Sequence, residues 1–68
     1  MTLRKGEHVT WRSHGTTVHG TVEEKITERT EEAGRTVAAS EEEPQYKVRS
    51  DKTGRSAVHK EAAVGPDD

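Results

Sequence analysis

The sequence predicts an all-β fold, a small barrel or rolled sheet of about five short antiparallel strands. Apolar residues recur at every second position in three segments, the period of a strand with one buried face. Two joins carry turn chemistry, His14-Gly15 and Asp51-Lys52-Thr53-Gly54. All of this fits into 68 residues, enough for one domain.

The first strand is read over His8-Val9-Thr10-Trp11-Arg12, with Val9 and Trp11 on one face. The second, Val18 to Ile26, places Val18, Gly20, Val22 and Ile26 on a common face. With His14-Gly15 as a two-residue turn, Trp11 faces Val18, Val9 faces Gly20 and Thr10 faces His19. Every inward residue then meets an inward residue, and a slip of one would break the match. Residues 27–35 hold one apolar side chain and read as a solvated connection, and Thr36-Val37-Ala38-Ala39 is a further short strand. Pro44 has no N–H and interrupts the ladder.

Gln45 to Ser50 alternates again and leads into Asp51-Lys52-Thr53-Gly54. A three-residue loop with a bulge pairs Val48 with Val58, Tyr46 with Lys60, Arg49 with Ala57 and Lys47 with His59. That register puts Val9, Trp11, Val18, Val22, Ile26, Tyr46, Val48 and Val58 on one continuous apolar face. Lys60 to Val64 reads as one helical turn. The domain is expected to span residues 1–64, with 65–68 a disordered tail.

Composition narrows the function. Only 26% of residues are apolar and 35% are charged, and Leu, Ile, Val and Phe together number 9 of 68. Burial in so short a chain barely exceeds chain entropy, which disfavours a deep enzymatic cleft. The absence of Cys excludes a disulfide scaffold, a thiolate metal site and a cysteine nucleophile. No apolar run exceeds three residues, so no membrane span is expected, and the compartment is expected to be cytoplasmic. The serines lack a Gly-x-Ser-x-Gly elbow, the carboxylates lie in polar surroundings, and no Gly-rich phosphate loop exists, so no catalytic or cofactor-binding residues are assigned.

Charge is segregated beneath a net value of −2: residues 1–22 carry +2, residues 23–43 carry −5, residues 44–60 carry +4 and residues 61–68 carry −3. The expected outward face of the second hairpin holds Lys47, Arg49 and His59, with Arg55 at the turn. Such a face suits a phosphate backbone, giving weak nucleic-acid or ribosome-associated binding as an alternative to protein interaction. Both aromatic residues, Trp11 and Tyr46, lie on the core face, which leaves no stacking platform. Histidine-based metal binding by His8, His14, His19 and His59 ranks third, because their spacing does not follow the close pairs of zinc sites.

The segments Lys5-Gly6-Glu7-His8-Val9-Thr10-Trp11, Ser13-His14-Gly15 and Gly20-Thr21-Val22 stand in order before Val37-Ala38-Ala39-Ser40. They continue with Pro44-Gln45-Tyr46-Lys47-Val48-Arg49-Ser50, Lys52-Thr53-Gly54 and Ala57-Val58-His59-Lys60. In this combination the chain resembles a family of small bacterial and fungal domains, named after a hypervirulence-associated protein and classed as Tudor-like. The resemblance implies an SH3-like barrel of about five strands and no established activity. It departs from the family where Glu61-Ala62-Ala63-Val64 stands in place of Pro-Glu-Ala-Leu. The Tudor class suggests methyl-lysine recognition, but two aromatic residues cannot build the cage that a methylated cation needs. The expected function is a small non-catalytic interaction module for an unknown protein partner, with His14, His19, Lys47, Arg49, Arg55 and His59 as candidate ligand-binding residues.

Overall fold

The computed structural model describes residues 3–32 and 34–67, which leaves Met1, Thr2, Ala33 and Asp68 outside the described residues, with the ends of the expected domain and tail. Seven strands follow in order: β1 (His8–Ser13), β2 (Thr16–Ile26), β3 (Thr30–Glu32), β4 (Arg35–Val37), β5 (Gln45–Ser50), β6 (Ser56–Lys60) and β7 (Val64–Pro66). Five form an antiparallel sheet in the order β6-β5-β2-β1-β7, and β3 with β4 makes a separate hairpin. The all-β class is as expected. The sheet does not close into a barrel, because its outer strands β6 and β7 do not pair with each other.

The first hairpin has the expected register, with Trp11 opposite Val18, Val9 opposite Gly20 and Thr10 opposite His19. His14 and Gly15 both take positive φ, 51° and 80°, as a type I′ turn requires. The Arg12 guanidinium donates to the Gly15 carbonyl at 3.1 Å and closes the turn from the side.

The second hairpin is displaced by one residue from the expected register. Tyr46 pairs with His59, Lys47 with Val58, Val48 with Ala57 and Arg49 with Ser56. The cause is a loop one residue longer than expected. The Ser50 amide donates to the Arg55 carbonyl at 2.9 Å and the Gly54 amide to the Ser50 carbonyl at 2.8 Å, so residues 51–54 all lie in the loop. Gly54 supplies the positive φ of 74°, and Ser50 Oγ accepts from the Thr53 amide at 3.3 Å. Directly paired residues share a face and a slip of one exchanges faces. His59 therefore stands on the Tyr46 face, and Val58 on the Lys47 face.

A second departure is a bulge in β2. Its register against β5 shifts between Val22 and Glu24, after which Ile26 pairs with Gln45. The extra residue reverses the alternation, so Ile26 leaves the face that holds Val22. The single apolar face of the sequence reading is therefore two clusters. One joins Leu3, Val9, Trp11, Val22, Tyr46, Val48 and Val64, with Val18 packed against it. The other joins Ile26, Val37, Ala39 and Val58. Strand β3 and Arg35 lie where the sequence reading had a solvated connection, while Val37, within the short strand expected at Thr36-Val37-Ala38-Ala39, joins the second cluster.

Residues Glu61–Ala63 form the expected helical turn, of 3-10 type. The tail is corrected as well. Val64, Gly65 and Pro66 pair with Trp11, Thr10 and Val9, and the Asp67 amide donates to the His8 carbonyl at 3.0 Å.

One buried polar group ties the chain ends to the core. Tyr46 is fully buried, its hydroxyl donates to Glu61 Oε2 at 2.7 Å, and it accepts from the Leu3 amide at 3.3 Å. Burial and the Glu61 carboxylate raise the phenol above its usual range. Tyr46→Phe strands the Leu3 amide, and is expected to cost roughly 1–3 kcal/mol in urea denaturation with the sheet retained.

Candidate functional site

The structure does not gather the six candidate residues into one patch. His14 sits at the apex of the β1–β2 turn. His19 Nδ1 lies 2.8 Å from Asp67 Oδ2, an exposed contact that pins the end of β7 to β2. Lys47 and Arg49 do share a face of β5, but Lys47 Nζ lies 3.3 Å from Glu32 Oε2 of β3. The acidic connection thus folds back on the basic hairpin. Arg49 and Arg55 remain exposed near the β5–β6 loop. His59 is four residues along β6 from Arg55, roughly 13 Å at strand rise, and on the opposite face from Lys47.

His59 lies against the core. Its ring centroid is 5.6 Å from that of Trp11, with the planes inclined by 37°. Burial first, and then the nearby Arg35 guanidinium, pull its imidazole below the ordinary histidine range. Unfolding raises that affinity for protons, so the unfolded state binds the proton more readily and stability rises with pH across this window. His59 thus makes a contribution that is complete above about pH 6.5 and lost as pH falls toward the folded value. The midpoint of thermal unfolding is expected to drop between about pH 7.5 and pH 5.5. His59→Gln should flatten that part of the profile, as scanning calorimetry of the two proteins would show.

Sequence reading passed over Arg35, one of two arginines in the polar segment 27–35. In the structure its Nη2 donates to the Val58 carbonyl at 2.9 Å across the space between β4 and β6. That space is a groove of about 770 Å³ lined by Arg35, Val37, Val58, His59, Lys60 and Ala63 among others. Two other depressions each hold about 280 Å³. Among the described residues no carboxylate lines the groove, although acidic residues of the chain outnumber basic ones, 13 to 11. At its far end Lys60 also borders a depression lined by Glu42, Glu43 and Glu61, so the uncompensated positive charge of the groove lies at Arg35. Among the described residues, neither Arg35 nor Lys60 has a carboxylate within 4 Å.

The groove runs along an open sheet edge, since β6 is the outermost strand on its side. In an antiparallel ladder alternate residues turn their amide and carbonyl away from the neighbour. The Arg55 carbonyl bonds to Ser50 and the Val58 carbonyl is free to meet Arg35. Counting along β6, the backbone groups of Ser56, Val58 and Lys60 face the groove. The opposite edge is the three-residue β7, which ends in Pro66 and offers little to a further strand.

Among the described residues no three His, Asp or Glu side chains are positioned to hold a metal ion. No helix among them is long and apolar enough to cross a membrane.

Residues 6–64 match the model of the family described as the hypervirulence associated proteins Tudor domain. The chain belongs to that family. The match covers both hairpins, the β3–β4 segment and the start of β7, including every residue of the groove. No curated protein and no solved structure matches the chain. Membership in a Tudor-like family supports a small interaction module.

Proposed function

We propose that the domain is a non-catalytic protein-interaction module that engages its partner in the groove between β4 and β6. The observation that carries this reading is the conjunction of exposed small apolar side chains, Ala38 and Ala63, with an unpaired strand edge and an uncompensated guanidinium. Apolar contact contributes affinity there and the polar groups fix orientation. A photo-crosslinking amino acid placed at Ala38 in the groove is expected to yield a discrete adduct in lysate. The same group at Thr17, on the exposed start of β2, is expected to yield none. Adducts from Thr17 alone would contradict the assignment.

The Tudor label leads to methyl-lysine as the obvious ligand, and the two rings argue against it. Tyr46 is fully buried and Trp11 is 6% exposed, so neither stands ready to enclose a cation. Titration with a trimethyl-lysine peptide is expected to leave Trp11 fluorescence unchanged. A saturable change would mean that a cage forms.

Nucleic-acid binding through the second hairpin has less to work with in the observed register. Lys47 is paired with Glu32 and His59 lies on the other face, which leaves Arg49 and Arg55 as the exposed cations of the original set.

A further inference from the structure

We propose that the groove takes an extended acidic segment of a partner protein as an added strand on β6, with an acidic side chain of that segment drawing Arg35 off the Val58 carbonyl. This rests on the groove being the interaction site and names what occupies it.

The backbone of β6 supplies the first half of the argument. Ser56, Val58 and Lys60 turn their amides and carbonyls outward, and β6 has no strand beyond it. Such an edge pairs with an incoming strand, whose main chain contributes the ladder while alternate side chains enter the groove. Ala38, Ala57 and Ala63 supply accessible apolar surface against which side chains at every second position of the segment rest.

Arg35 supplies the second half. By donating to the Val58 carbonyl it occupies one of the acceptors that an incoming strand needs, as charged side chains do at guarded edges. A neutral or basic segment would have to break this bond and return the exposed guanidinium to water, with no new pair in exchange. An acidic segment exchanges it: the partner's backbone amide takes the Val58 carbonyl, and its carboxylate takes the guanidinium, a stronger charge-assisted pair. Among the described residues no carboxylate in the groove competes for Arg35. The guard therefore becomes a selector for acidic strands.

The test uses a capped eight-residue peptide of alternating glutamate and valine, with a lysine–valine counterpart and a glutamate–valine peptide N-methylated at alternate residues. Amide spectra and hydrogen exchange of the whole chain are followed during titration. The glutamate–valine peptide is expected to bind saturably and to slow exchange at Ser56, Val58 and Lys60, whereas the other two leave these amides unchanged. In Arg35→Glu the preference should reverse, with the lysine–valine peptide giving the protection. Equal responses to both charge types, or changes mapping away from β6, would overturn the proposal. Concentration-dependent protection of the same amides without peptide would overturn it in favour of a second copy of this chain. If no peptide binds while the Ala38 crosslink still forms, the acidic strand is wrong and the groove remains the interaction site. If neither occurs, both readings fail.

Discussion

Trp11→Ala is expected to abolish the native fold. Trp11 is 6% exposed and belongs to the larger core cluster with Leu3, Val9, Val22, Tyr46, Val48 and Val64. Its ring also lies beside His59 and over Gly20, so it joins β1, β2 and β6 at one point. Truncating a buried tryptophan costs roughly 3–5 kcal/mol, and a single core in a chain this small rarely supplies more than about 3–5 kcal/mol in total. The variant should show an unfolded far-ultraviolet circular dichroism spectrum and no cooperative urea transition. A folded Trp11→Ala protein with a transition close to that of the parent would remove Trp11 from the centre of the core.

Gly20→Ala is expected to do nearly as much damage by adding a single methyl. A Cβ at position 20 would lie 2.2 Å from the Arg49 carbonyl oxygen and 2.5 Å from Cη2 of Trp11. The clash is with backbone as well as a ring, so no rotamer change relieves it, and β2 would have to part from β5. Gly20 is one of the two glycines whose φ is not positive; the demand is for space and not for an unusual torsion. Overpacking of this kind costs roughly 3 kcal/mol or more. Gly65→Ala is the matched control, because a Cβ there meets nothing within 4 Å. Comparable urea midpoints for the two variants would show that the sheet tolerates the methyl.

The first hairpin was legible because two independent signals agree. The type I′ turn at His14-Gly15 and the alternation from Val9 to Val22 demand the same register. The second hairpin was not, since Asp51-Lys52-Thr53-Gly54 suits loops of three and of four residues alike. Only the hydrogen bonds of Ser50 decide between them, and that one-residue difference moved His59 to the core and Val58 to the groove. The bulge at Val22–Glu24 has no marker in Thr-Val-Glu-Glu-Lys-Ile, which reads as an unbroken strand. The β3 strand, Thr30-Glu31-Glu32, carries no apolar residue, and β7 is hidden in Val64-Gly65-Pro66, a composition typical of tails. Arg35 was invisible for a related reason. An arginine in a polar segment acquires meaning only when the fold sets it opposite an unpaired carbonyl.

The groove exists because β6 presents Val58 to β4 and His59 to Trp11. Carbon-edited nuclear Overhauser spectra measure that orientation directly. The observed register predicts cross-peaks from the Val58 methyls to Ile26 and Val37, and from the His59 ring to Trp11. Cross-peaks from Val58 to Val48 and Trp11 in their place, with His59 beside Lys47, would contradict it and dissolve the groove with it.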